Sequence, residues 1–159
     1  MSEEERIREG LLKRFSSLEG KIRLQRAKRL FADVPCDDFT AALEYASREL
    51  RFQMLLTITG LDEGENLGFI YHLAREDGIT LNLKISVKKD GPGIRTVTPY
   101  FPGAEIYERE LVDLLGARIE GLKEGRRYPL PDDWPEGQYP LRKDWNTKAL
   151  KDKEANKNA

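Results

Sequence analysis

Few side chains in this 159-residue chain are placed to do chemistry. Cys36 is the only cysteine and His72 the only histidine. A thiol at a strand-to-helix junction gains thiolate character from the helix N-terminus, but Asp37 and Asp38 follow Cys36 directly and oppose it. His72 could act as a general base, yet a base is recognised by the groups that orient it, and no second histidine or cysteine is present. Glu108 and Glu110 would form an acid–base pair only if they met. Two positions apart on a helix, they project toward nearly opposite sides. "DGPG" at 90–93 has glycines but lacks the strand–helix context and spacing of a phosphate loop, so it reads as a turn.

The cysteine count excludes more. An internal disulfide, a cluster held by four cysteines of one chain, and zinc sites built from several Cys and His are all impossible. The expectation is no catalytic, cofactor-binding or metal-binding residue on this chain. Lys and Arg number 27 against 28 Asp and Glu, giving a net charge of −1, which argues against nucleic acid as a partner. No apolar run approaches the roughly 20 residues of a membrane span, and "MSEEERIREG" is no signal peptide. A soluble protein of a reducing cytoplasm is expected. The 35 % of charged residues, with abundant Glu, Lys and Arg, hints at a thermophilic source.

The elements that would position these groups follow from periodicity. Ile7, Leu11, Leu12 and Phe15 mark a first amphipathic helix, and Phe39, Ala42, Leu43, Ala46 and Leu50 a second. Lys21–Val34 predicts a strand pair or one bent strand. From Arg51 the period becomes two, through "LLTIT" and then Leu67, Phe69, Tyr71 and Leu73. Ile79, Leu81, Leu83, Ile85 and Val87 alternate with polar residues in the cleanest strand of the chain. A third helix follows "TVTPYFPG", with Pro102 in its first turn, Gly116 closing it, and Tyr107, Leu111, Leu114 and Leu115 as its apolar stripe. The fold class is α+β: a small mixed or antiparallel sheet with helices packed on one face.

Beyond Leu122 regular pattern disappears. Four of the eight prolines (Pro129, Pro131, Pro135 and Pro140) fall there, which predicts an extended C-terminal arm. The expected organisation is a domain over 1–121, an arm over 122–145, and a polar, disordered tail over 146–159.

Two blocks stand out: "TVTPYFPGAEIYERELVDLLGARIEG" and "RRYPLPDDWPEGQYPLRKDW". They resemble the thirty-kilodalton hydrophilic subunit of respiratory complex I and its relatives in membrane-bound, energy-converting nickel–iron hydrogenases. The matching residues are Glu108, Arg109, Glu110, Asp113 and Gly116, then Arg126, Arg127, Pro131 and Trp134. The pattern ends on Pro140, Leu141, Arg142, Lys143 and Asp144, and "TGLD" with "FIYHL" resembles the strand region upstream. Leu122 and Tyr139 stand where the family usually has histidines. The long spacing between Trp134 and Pro140 is closer to the hydrogenase-type branch.

The resemblance implies a non-catalytic peripheral scaffold subunit, held by its partners on the cytoplasmic side of a membrane. Its complex would couple ferredoxin-linked hydrogen evolution to ion translocation. The nickel–iron centre and iron–sulfur clusters would lie on partner subunits, and the chain would dock on the large catalytic one. The residues expected at that interface are Glu108, Arg109, Glu110, Asp113, Arg126, Arg127, Trp134, Tyr139, Pro140, Leu141, Arg142, Lys143, Asp144 and Trp145. Equivalent roles in a complex I-like NADH or ferredoxin:quinone oxidoreductase, or in a sulfur-reducing relative, satisfy the same sequence. A free-standing enzyme using His72 or the carboxylates is the remaining alternative.

Overall fold

The computed structural model describes residues 1–148. Residues 149–159, the larger part of the expected disordered tail, lie outside the described residues. Helix α1 (Glu3–Arg14) opens on a capping box between Ser2 and Glu5, with three glutamates in its first turn and Lys13 and Arg14 in its last. Strands β1 (Ile22–Arg26) and β2 (Arg29–Asp33) form an antiparallel hairpin, the strand pair rather than the single bent strand of the two expected alternatives, with Lys28 at positive φ in its turn. Helix α2 (Cys36–Arg48) stops short of Leu50, because the amides of Glu49 and Leu50 both turn back to the Tyr45 carbonyl.

Three nine-residue strands follow: β3 (Met54–Asp62), β4 (Asn66–Ala74) and β5 (Thr80–Lys88). They complete one mixed sheet in the order β1-β2-β5-β4-β3, antiparallel except for the β2–β5 pair. The pleat puts Leu30, Leu81, Leu83, Phe69, Tyr71 and Leu73 on one face, where the helices cover them. Phe39 of α2 lies on Tyr71 with ring centroids 4.6 Å apart, and Phe15 meets Tyr45 edge-on. A short parallel pair, β6 (Ile94–Arg95) and β7 (Ile119–Glu120), flanks helix α3 (Ala104–Leu115).

Helix α3 packs on β3 through Gly60. A Cβ there would collide with the side chains of Leu111 and Leu115, so the glycine lets helix and strand approach closely. Pro102 sits just outside the helix, ahead of the Gly103 cap, rather than in the first turn. The buried stripe of α3 also differs from the expected one. It runs through Ala104, Glu108, Leu111 and Leu115, while Tyr107 and Leu114 are only half-buried. A carboxylate inside an apolar stripe is invisible to a hydrophobic period.

Candidate docking site

Glu108 is fully buried, with 0 % of its surface exposed. One carboxylate oxygen accepts from the Val97 amide at 2.7 Å and the other from the Thr96 hydroxyl at 2.5 Å. The residue thus ties α3 to the "TVT" segment before it, and it cannot present its side chain at an interface as the sequence suggested. Burial pushes its carboxyl above the usual range, against the Thr96 and Val97 hydrogen bonds.

Arg109 points the other way. Its guanidinium pairs with Glu105 at 2.8 Å and donates to the Lys123 carbonyl at 2.7 Å, where the irregular segment begins. Gly125 lies directly beneath it, and a Cβ at 125 would sit 2.5 Å from the Arg109 Nη2. One turn on, Asp113 receives Arg127 Nε at 3.0 Å and the Leu130 amide at 3.1 Å. Arg127 then donates to the Trp134 carbonyl at 2.7 Å.

The far end of α3 is closed by the arm itself. The last carbonyls of a helix lack internal donors. Here Gly116 and Ala117 turn their amides back to Val112 and Leu111, the Leu141 amide reaches the Leu114 carbonyl, and Arg142 Nε donates to the Leu115 carbonyl at 2.7 Å. No basic residue occupies the last turn of α3, so Arg142 supplies the positive charge that the helix dipole favours there. Its guanidinium also stacks on the Tyr139 ring, 4.5 Å from the centroid. Gly116, at φ 69°, leaves the room: a Cβ would lie 2.5 Å from the Tyr139 ring and 2.7 Å from Arg142.

A last anchor lies on the sheet. The Asp62 carboxylate accepts from Lys89 Nζ and from the Lys143 amide, both at 2.8 Å. The Lys89 ammonium, with the Lys143 and Gly64 amides, holds its carboxyl well below the usual range. Within the arm, Trp134 and Trp145 pair at 6.1 Å, and both indole N–H groups donate to Gln138. The stretch expected to be ordered by a partner is therefore held by its own domain.

Most of the expected site residues meet here, but in unequal roles. Glu108, Arg109, Asp113, Arg127 and Arg142 face inward on the clamp. Trp134, Tyr139, Pro140 and Trp145 are half-buried, as is Glu110. Arg126, Leu141, Lys143 and Asp144 are exposed, Leu141 by 57 %. Asp62, Lys89, Thr96 and Gly125 belong to the clamp and were not expected. "TGLD" and "TVT" carried a signal for two of them, but only position in space reveals what they hold.

The other chemical candidates are occupied. His72 Nδ1–H donates to Asn82 Oδ1 at 2.5 Å, because the Asn82 amide already donates to the Leu30 carbonyl. Thr59 hydroxyl then lies 2.9 Å from Nε2, which completes a chain of hydrogen bonds across β3, β4, β5 and β2. It also explains why Asn82, on the polar side of β5, is 1 % exposed. Cys36 donates to the Ser86 carbonyl, and burial followed by the Asp37 charge raises its thiol pKa. Among the described residues no group of three or more His, Cys, Asp or Glu could hold a metal ion, and no helix is long and apolar enough to cross a membrane.

The chain is thus an α+β domain whose most distinctive residues fasten an irregular arm to one helix, α3. Residues 32–151 match the family model of the respiratory-chain NADH dehydrogenase 30 kDa subunit, and the chain belongs to that family. It is 29 % identical over 152 residues to the membrane-bound hydrogenase subunit beta of Pyrococcus furiosus, spanning 91 % of this chain and 87 % of that one. It is 34 % identical over 119 residues to a much longer NADH-quinone oxidoreductase polypeptide of Phocaeicola vulgatus, covering 72 % of this chain but 22 % of that one. A chain of the membrane-bound sulfane sulfur reductase, an archaeal respiratory membrane complex, superposes with a TM-score of 0.82 at 28 % identity, covering 98 % of this chain and 92 % of the other. Family members are subunits of multi-subunit membrane redox complexes.

Proposed function

We propose that this chain is a non-catalytic, peripheral scaffold subunit of a membrane-bound hydrogenase. Its complex oxidises ferredoxin, evolves hydrogen and translocates ions, and this subunit sits on the cytoplasmic side against the large catalytic subunit. The observation that carries the reading is the near end-to-end likeness to the hydrogenase subunit beta. The clamp supports it: an arm fixed in advance loses little entropy when a partner docks on it. Leu141, Lys143, Asp144 and Arg126 are the side chains the clamp leaves to that partner, and Trp134 and Trp145 are its half-buried aromatic anchors. Cofactors are assigned to partner chains, and the nickel–iron centre and iron–sulfur clusters belong there.

The test is to tag the chain in its own host, solubilise the membranes gently and purify. Recovery with a nickel-containing large subunit and ferredoxin-dependent hydrogen evolution is expected. A second reading, the same scaffold role in a sulfur-reducing complex, is favoured by the close superposition on the sulfane sulfur reductase chain. Recovery of a nickel-free complex that reduces sulfur would select it. Hydrogenase activity in the isolated chain would overturn both.

A further inference from the structure

Helices α1, α2 and α3 pack on the sheet face that carries Leu30, Leu81 and Tyr71, and among the described residues no helix covers the other face. One row of that open face crosses all five strands: Arg23, Phe31, Asn82, His72 and Thr57 are register partners in turn. In the next row Arg26 stands opposite Arg29, and Arg29 opposite Thr80. Partners in register share a face, and Arg29 and Phe31 alternate with the buried Leu30 and Ala32. Lys21, Arg23, Arg26, Lys28 and Arg29 fall within ten residues that hold no carboxylate, in a chain of net charge −1. Lys28 donates to the Asp77 carbonyl, and Arg23 pairs with Asp33 at 2.9 Å while lying over the Phe31 ring. Among the described residues Arg26 and Arg29 have no ion-pair partner, and the buried Arg29 Nε has no acceptor. Cations on an edge strand block unwanted pairing, which accounts for Arg23 and Arg26 on β1. It does not account for Arg29, because β2 is flanked by β1 and β5. A half-buried guanidinium with unspent donors destabilises the free domain until an acceptor reaches it.

We propose that this corner of the open sheet face, Arg26 and Arg29 beside Arg23 and Phe31, docks on the acidic surface of a neighbouring protein subunit. Carboxylates of that neighbour pair with the two free guanidinia. The charge of the patch selects an acidic partner, and arginine's planar fork matches a carboxylate through two parallel hydrogen bonds. The rest of the face suits a protein rather than a lipid surface. Aromatic and arginine side chains set together are what protein interfaces favour. The ground beside them is stiff, because Thr59, His72 and Asn82 are held by their own chain of hydrogen bonds. Anionic lipids are gathered instead by flexible basic runs beside a membrane-embedded segment. The inference rests on the reading of this chain as a subunit, and adds the chemistry of a neighbour on the side of the sheet opposite α3.

Charge reversal in the tagged full chain, purified with its complex from host membranes, tests this. Arg26→Glu with Arg29→Glu should lower recovery of one neighbouring subunit by about tenfold or more, since like charges then face each other across the contact. The isolated variant should keep the circular dichroism and urea midpoint of wild type. Arg26→Lys and Arg29→Lys keep the charge and supply an amine that a carbodiimide joins directly to a carboxyl group. Treated in the complex, they should cross-link position 26 or 29 to an Asp or Glu of that same neighbour, which decides the matter whatever the reversed chain does. A reversed variant that recovers every subunit in full, with no cross-link from the lysine variants, would overturn the docking face and leave the subunit reading standing. Cross-links only between copies of this chain would overturn it in favour of a second copy. Binding of the isolated chain to phosphatidylglycerol vesicles, lost on reversal and without any protein cross-link, would overturn it in favour of a lipid surface. A wild-type chain that leaves its host membranes only as a free monomer would sink both readings.

Discussion

Replacing Gly116 with alanine tests whether the arm is clamped to the end of α3 or merely lies near it. Two costs separate cleanly. Any Cβ in the left-handed region costs about 1–2 kcal/mol. At Gly116 the Cβ also overlaps the Tyr139 ring and Arg142 Nη2, so both must leave. Arg142 then loses its charge-assisted bond to the Leu115 carbonyl, about 1.5–3 kcal/mol, and its stack on Tyr139, about 0.5–1 kcal/mol. Gly20 is the internal control: its φ is 71°, and no atom lies within 4 Å of a Cβ built there. Gly20→Ala should therefore show the conformational cost alone, and Gly116→Ala should exceed it by about 2–4 kcal/mol in urea unfolding. Trypsin should also cleave the arm at Arg126 and Arg127 much faster in Gly116→Ala. Equal destabilisation of the two variants, within about 0.5 kcal/mol, with unchanged arm proteolysis, would refute the clamp.

Arg109→Ala should cost about 1.5–3 kcal/mol through the lost bond to the Lys123 carbonyl, where a solvated ion-pair ladder would cost about 0.3–0.5; denaturant titration decides. Glu108→Gln removes a carboxyl that binds its proton more readily folded than unfolded. The stability this confers on wild type is present below the unfolded pKa and lost as pH rises through the folded one, so glutamine should gain on glutamate between pH 4 and pH 8. A difference in melting temperature that stays flat over that range would contradict burial as the dominant influence. Truncation after Pro129 removes the Leu130, Leu141, Arg142 and Lys143 contacts and should lower stability by about 2–4 kcal/mol with the circular dichroism of the sheet retained. Calorimetry showing an unchanged transition would mean that these contacts carry no net energy.

The sheet and its covering helices were legible because burial repeats at a fixed period. Leu81, Leu83 and Ile85 alternate as a half-buried strand must, and Phe39, Ala42, Leu43 and Ala46 trace one face of α2. Family resemblance named residues that gather along α3 and the arm, but not the direction each side chain takes. Glu108 and Asp113 belong to a motif, but nothing in spacing says that one turns inward to an amide 11 positions away and the other grips an arginine 14 positions on. Prolines announced an irregular segment correctly, since they forbid helix and ladder alike. They could not announce that its amides find acceptors on α3, because an isolated amide in a loop has no sequence signature. Asn82 shows the same limit: a polar residue on the outward register is buried because a histidine on the next strand shares its hydrogen bond.

The clamp's contacts are ordered in sequence, and the order sets a hierarchy of opening. Arg109 to Lys123 and Asp113 to Arg127 each close a span of 14 residues, whereas Leu115 to Arg142 closes 27. Loop-closure entropy grows with span, so the near links form first and shorten the loop left for the far one. The arm closes like a zipper from Lys123 outward, and it frays from the opposite end. The stretch around Arg142 and Trp145 is therefore the first to open, while Arg109 and Asp113 keep the base of the arm in register on α3.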